Sequence, residues 1–245
     1  MKNDKHDVGD WGLTGSPLVQ IFWHALLISL TIIALLPIIW MVSTALKPSR
    51  EIFAAGLRII PSTFTGDHFI RLWVRFPIPR IMLNTLIVAA SITTTQLLTG
   101  VLAAYGFARY RFPFRNGLFY MCLATMFIPI QVVMVSNYLL ISNLGLLNNL
   151  MGVLAPQLAS GFGIFLLRQH LIVFPQSLLD AAQIDGAGEL TVLFRIVLPV
   201  IRPVLFALGI LLFINSWNQY VWPTLILSNP ENMTLPIWLR QFMHA

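Results

Sequence analysis

Between Asp67 and Asp180 the chain holds no aspartate or glutamate, and the apolar runs within and around that interval mostly reach bilayer-spanning length. About 20 residues of helix cross about 30 Å of hydrocarbon, so each run is a candidate span. Composition points the same way. Hydrophobic residues make up 57% of the 245 residues, charged residues only 10%, and the mean hydropathy is +0.79, whereas soluble domains carry about a quarter charged residues. An all-α membrane protein built as one multi-span helical bundle is the economical fold for this length.

Five spans are expected, over about 22–46, 81–108, 118–141, 151–171 and 200–227. Residues 1–19 read as a polar N-terminal segment and 20–245 as the transmembrane domain. The first run ends on Ser43-Thr44-Ala45, a small-x-small pattern, but its apolar core exceeds the 7–15 residues of a secretory signal, so it is kept as a span. Pro61, Pro77 and Pro79 break any long helix in the loop that follows. Pro129 and Pro156 fall inside the third and fourth spans, where neighbouring helices must satisfy the freed carbonyls, which implies a bundle. Arg109-Tyr110-Arg111-Phe112-Pro113 closes the second span with cations and aromatics suited to headgroup depth.

The net charge of +6 does not imply nucleic acid, because the cations sit at span ends and form no run or stripe, so membrane lipid is the expected partner. Lys and Arg are nearly balanced between the two faces and do not orient the chain. Cys122 is the sole cysteine and lies in an apolar run, so neither an intrachain disulfide nor a cysteine metal cluster is expected.

Asp180-Ala181-Ala182, Asp185-Gly186-Ala187 and Ile196-Val197-Leu198-Pro199 form an acidic, small-residue island between apolar flanks. Pro175 ends what precedes it, and Ser177-Leu178-Leu179-Asp180 has the form of a capping box that starts a short helix. Ala181 and Ala182 leave room for a partner surface. Gly186 suits the left-handed turn that ends a helix, Asp185 and Glu189 keep the outer side charged, and Pro199 suits the first turn of the fifth span. An ordinary solvated loop and a handle for a soluble partner both fit these residues.

The intervals resemble the signature of the membrane subunits of bacterial ABC importers: Glu-Ala-Ala, three residues, Gly, nine residues, Ile-x-Leu-Pro. Asp180 in place of the leading Glu is the one departure. Asn84-Thr85-Leu86, Ala103 to Arg109, Gly163 to Gln169 and Trp217 to Pro223 are similar to the carbohydrate-uptake branch of that family. The resemblance extends over nearly all of 20–230. It implies a type I importer permease bundle in the bacterial inner membrane, with a cytoplasmic N-terminus and a cytoplasmic coupling loop over about 172–199. The implied coupling residues are Asp180, Ala181, Ala182, Asp185, Gly186, Ala187, Ile196, Leu198 and Pro199. It also implies a second permease, a dimer of ATP-binding subunits and an extracytoplasmic solute-binding protein. A sixth span is expected by resemblance after the loop 228–234.

The energy source is constrained independently. No span carries Asp, Glu or Lys at its centre, and His24 lies within a turn of the first span's start, so gradient coupling is disfavoured. Lys2, Lys5 and Lys47 are the only lysines and none follows Gly, so this chain has no phosphate-cradling Gly-Lys loop. Neither Gly-x-Ser-x-Gly nor His-Glu-x-x-His occurs, so it is not expected to be an enzyme and needs no cofactor of its own, with ATP and Mg assigned to the partner ATPase. Asn215, Trp217, Asn218, Gln219 and Tyr220, with weaker signals at Asn84, Gln131 and Asn137, suit either a sugar passage or hydrogen bonds between helices. The loop 47–80 carries Lys47, Arg50, Arg58, Arg71, Arg75 and Arg80 against Glu51 and Asp67, six minus two or +4, a charge suited to headgroups or to an acidic or phosphorylated solute. A sugar or polyol phosphate is the expected cargo, and an independent carrier or channel is the alternative.

Overall fold

The computed structural model describes residues 17–52 and 58–244. They divide into two compact units, one ending at Phe76 and the other beginning at Pro77. Of the expected N-terminal segment 1–19, residues 1–16 lie outside the described residues and 17–19 already belong to the first helix. No strand occurs among the described residues.

In the first unit, helix α1 (Pro17–Ala45) is long and apolar enough to cross a membrane. Three of its polar side chains bond to its own backbone: His24 Nδ1 meets the Gln20 carbonyl at 2.7 Å, and Ser29 and Thr31 donate to Ala25 and Leu27 at 2.8 Å. Two short helices follow, α2 (Ser49–Ile52) and α3 (Asp67–Arg75). Residues 58–65 lie against the end of α1, where Ser43 and Lys47 donate to the Ile59 and Arg58 carbonyls and Thr65 N–H reaches Leu46 O at 2.9 Å. Glu51 accepts the Ser62 N–H and hydroxyl, and those donors hold its carboxyl below the ordinary value.

The second unit is organised by α4 (Ile78–Arg109), an unbroken helix of 32 residues. Pro79 sits in its first turn, where a missing N–H costs nothing, so this proline begins a helix and does not interrupt one. The third span, expected as one run, is broken into α5 (Arg115–Phe127) and α6 (Ile130–Asn143), which meet at 99°. Pro129 is extended, with ψ 135°, and cannot continue a helix. The fourth is also broken, into α7 (Leu150–Gln157) and α8 (Gly161–Ile172) at 45°. Ser160 is extended there, and its hydroxyl accepts Gly163 N–H at 3.2 Å, so a side-chain cap starts α8 afresh.

Past α8 come α9 (Gln176–Ile184), α10 (Glu189–Val200) and α11 (Arg202–Trp217), and the last two, meeting at 79°, form the pair that passes together as the fifth candidate span. The run expected over about 200–227 falls on α11 and, past a break after Trp217, on α12 (Val221–Ile226), so its position holds and its continuity does not. Asn218 donates its side-chain amide to Ile214 O at 2.9 Å, satisfying a carbonyl at the end of α11 before the chain turns. A 3₁₀ turn over Pro230–Asn232 leads to α13 (Leu235–His244). Its ten residues rise about 15 Å, half a bilayer core, where the resemblance expects a sixth span. Among the described residues, counting each bent pair once gives up to five candidate spans by length and composition.

Helices α8 and α11 both pack on α4, and two buried clusters mark the ends of the unit. One gathers Val101, Tyr105, Leu167, Leu193 and Leu208; the other gathers Val88, Ile141, Val153, Trp222 and Ile237. Asn148, held in the left-handed region at φ 56°, ties the second end together. Its Oδ1 accepts Ser228 N–H at 2.7 Å and Asn229 N–H at 3.0 Å, while its own N–H reaches Ile226 O at 2.8 Å. Nearby, a Cβ on Gly152 would overlap the Leu146 carbonyl and come within 2.9 Å of Ile226 Cγ2.

Gly152→Ala is therefore expected to lower the thermal midpoint of the detergent-solubilised protein by roughly 2–10 °C, the effect of about 1–3 kcal/mol of overpacking. Gly106→Ala, where an added Cβ meets nothing within 4 Å, is expected to leave the midpoint unchanged or raise it. Equal midpoints for the two variants would contradict the packing described.

Candidate functional site

The island becomes a helical elbow. Pro175, at φ −58° and ψ 113°, stands immediately before α9. The capping box expected from Ser177 and Asp180 does not form, because Ser177 already lies in the first helical turn and cannot take a cap's extended backbone. Asp180 Oδ1 instead accepts the Gln176 side-chain amide at 2.9 Å. At the other end Gly186 adopts φ 72°. Ala187 N–H reaches back to Ala182 O at 2.9 Å and Gly186 N–H to Gln183 O at 3.0 Å, the paired closure of a Schellman end.

Residues Val192–Val197 of α10 widen into a π-helical turn just before Pro199, which has no N–H to give the carbonyl four residues back. A 79° bend at Ile201 then starts α11. Pro199 thus belongs to the last turn of α10, and Pro203 occupies the first-turn position expected of it.

The elbow has two faces. Leu179, Ala182, Val192, Leu193 and Val197 are buried in the cluster around Tyr105 and Leu167. Ala182 therefore packs into its own bundle and offers nothing outward, contrary to expectation. Ile196, Leu198 and Ala187 pack partly buried against the same cluster, and Pro199 is half-buried. Asp180, Ala181, Asp185 and Gly186 are exposed. So are four large apolar residues, Leu178, Leu190, Phe194 and Ile184, the last 85% exposed. Exposed apolar groups gathered on one acidic elbow mark a surface suited to a partner.

A hydrogen bond ties the elbow to α4: Tyr105, 7% exposed, donates its hydroxyl to Glu189 Oε2 at 2.8 Å. Glu189 is itself exposed, as expected, and also accepts the Tyr105 hydroxyl. No local sequence signal linked these residues, which lie 84 positions apart.

Among the passage candidates, Gln219 forms a reciprocal amide pair with Gln157, at 2.7 and 3.0 Å. Gln157 also donates to Val153 O at 2.8 Å, and its own carbonyl accepts the Gln96 amide at 2.9 Å. The sequence reasoning missed Gln157; its one signal was an amide beside Pro156 in an apolar run. Tyr220 lies under the Arg240 guanidinium at 4.6 Å, and Trp217 rests against Phe213 at 5.7 Å between ring centroids. Asn215 and Asn218 are exposed, as is Gln131; Asn137 is half-buried. Asn84 is buried and donates to the Glu231 and Met233 carbonyls at 2.9 and 3.2 Å, well apart from the Gln157–Gln219 pair along α4.

This bundle and its elbow have counterparts. The family described as "Binding-protein-dependent transport system inner membrane component" matches residues 96–244. The chain belongs to that family. It is 33% identical over 221 residues to the sn-glycerol-3-phosphate transport system permease protein UgpE of Escherichia coli O1:K1, spanning 88% of this chain and 79% of that one. With the protein of the same name from Yersinia pestis bv. Antiqua (strain Antiqua) the identity is 32% over 231 residues, or 92% and 82% of the two chains. Among solved structures, a chain of a bacterial ABC transporter involved in the import of the acidic polysaccharide alginate superposes with a TM-score of 0.82 at 25% identity, covering 93% of this chain and 81% of that one. The protein is accordingly an inner-membrane permease of an ABC importer.

Tyr105→Phe removes a hydrogen bond to a carboxylate, an interaction of about 1.5–3 kcal/mol. Amide hydrogen exchange over 189–197 is expected to accelerate by roughly tenfold or more, with exchange at 78–90 unchanged. Unaltered exchange in the elbow would show that the bond does not hold it.

Proposed function

We propose that this permease carries a sugar or polyol phosphate, with glycerol-3-phosphate the first candidate. It works beside a second, unlike permease, receives solute from an extracytoplasmic binding protein, and is driven by ATP hydrolysis in a dimer of partner ATP-binding subunits. ATP and Mg belong to those subunits, and this chain performs no hydrolysis itself. The observation that carries the reading is the two-faced elbow. One face is locked into the bundle by Leu179, Ala182, Val192 and Leu193, while the other presents Ile184, Leu178 and Phe194 among the exposed Asp180 and Asp185. Such a piece passes displacement from a soluble neighbour into the spans.

In this reading the elbow docks through Asp180, Ala181, Asp185 and Gly186, with Ala187, Ile196, Leu198 and Pro199 bracing it from behind. The N-terminus and the elbow share the cytoplasmic side, since four spans separate them when each bent pair counts as one. Asn215, Trp217, Asn218, Gln219 and Tyr220 are the proposed passage residues. Gln131 and Asn137 extend them along α6, and Asn84 shapes the far end through the backbone it holds.

The substrate class is supported by the cargoes named for the two kinds of relative, sn-glycerol-3-phosphate and an acidic polysaccharide, both anionic. The +4 charge of the loop 47–80 agrees with such a cargo.

The assembled transporter in vesicles, with ATP on the elbow's side, is expected to accumulate labelled glycerol-3-phosphate. Gly186→Asp, which places a side chain at φ 72°, and Asp180→Lys, which reverses a charge on the exposed face, are expected to reduce uptake to background with membrane insertion intact. Full uptake in both variants would remove the coupling role, and solute-stimulated ATP hydrolysis by an uncharged sugar alone would overturn the substrate class. Flux through vesicles containing this chain alone would instead favour an independent carrier.

A further inference from the structure

A cavity of about 360 Å³ opens where the ends of α4, α5 and α8 meet the base of α9. Three guanidinium groups line it: Arg109 at the last residue of α4, Arg115 at the first of α5, and Arg168 in α8. Among the described residues none of the three forms an ion pair. Arg168 lies over the buried Phe119 ring, 4.0 Å from its centroid, and its Nε is buried with no hydrogen-bond partner. Arg115 gives one N–H to Tyr110 O at 3.2 Å. Two other lining residues, Gln176 and Tyr105, donate to Asp180 and Glu189, so those carboxylates are engaged by neutral donors. The remaining wall includes Phe107, Leu171 and Ile172.

Three cations lining one concavity, none of them ion-paired among the described residues, leave an unmet demand for an anion. Guanidinium groups match phosphate oxygens in pairs, and basic pockets between membrane helices take acidic lipid headgroups. We propose that this cavity is a binding site for a phosphate group, held by Arg109, Arg115 and Arg168. Two carriers share that chemistry, an acidic phospholipid and free phosphate. The apolar wall and the location at span ends suit the lipid. Gln176 and Leu179 of the elbow line the same cavity, so an occupant braces α9 against α4 and α8.

The full-length chain, purified in neutral detergent, is titrated in one arm with phosphatidylglycerol and followed by native mass spectrometry. In the other arm it is titrated with inorganic phosphate and followed by calorimetry. The variants are Arg168→Gln and the double variant R109Q/R115Q. The double variant leaves the Arg168–Phe119 stack untouched and so keeps the test meaningful should Arg168→Gln fail to fold. Phosphatidylglycerol binding that falls roughly thirtyfold in R109Q/R115Q, the loss expected of two headgroup-facing cations, supports the site with lipid as carrier. A comparable fall confined to inorganic phosphate supports it with free phosphate as carrier. Binding of both probes that is absent from the wild type, or equal in wild type and variants, overturns the proposal.

Discussion

The second unit depends on one supply of hydrogen bonds: polar side chains along α4 serve backbone groups that broken neighbours leave open. Asn84 donates to Glu231 O and Met233 O, and Thr85 Oγ1 accepts Leu235 N–H at 2.8 Å. Midway, Gln96 and Thr99 donate at 2.9 Å to the carbonyls of Gln157 and Leu158, where α7 stops. Near the other end Tyr105 holds Glu189 at the start of α10. In a medium without water an open carbonyl costs several kcal/mol, so spans that break need a neighbour that does not. Helix α4 is that neighbour, and its unbroken run is the condition for the bends elsewhere.

Burial decides which of these contacts matter. Arg80 and Glu231 form an ion pair at 3.1 Å, but both are more than half exposed, and such pairs contribute about 0–1 kcal/mol. Asn84, a few residues away and 8% exposed, makes two bonds to backbone carbonyls with a neutral amide. Losing that amide would leave two carbonyls dry, so the uncharged residue outweighs the charged pair. The same comparison applies at the elbow. Asp180 and Gln176 meet in solvent, whereas the Tyr105–Glu189 bond begins from a buried ring.

Span number and approximate position were legible because hydropathy over 20 residues is a strong signal, and the five expected runs all fall on helices. Their continuity was not. Pro129 was visible, yet a proline within a span is compatible with either a kink or a full break. The 99° corner follows from Pro129 taking ψ 135°, a tertiary outcome. The stop at Ser160 needed the knowledge that its hydroxyl caps Gly163. The island's boundaries and the left-handed Gly186 were readable from Pro175 and the glycine itself. The capping box was not, because Pro175 takes the position before the helix and pushes Ser177 inside it. Long-range polar pairs such as Gln157–Gln219 and Tyr105–Glu189 have no local periodicity to reveal them.

Tyr105 and Asn84 are fixed to different parts of the chain yet ride on the same rigid rod, 21 residues or about 30 Å apart along its axis. The rod is tied at one end to Glu189, in its middle to the Gln157 and Leu158 carbonyls, and at the other end to the segment 231–235, so a single helix links three stretches of chain far apart in sequence.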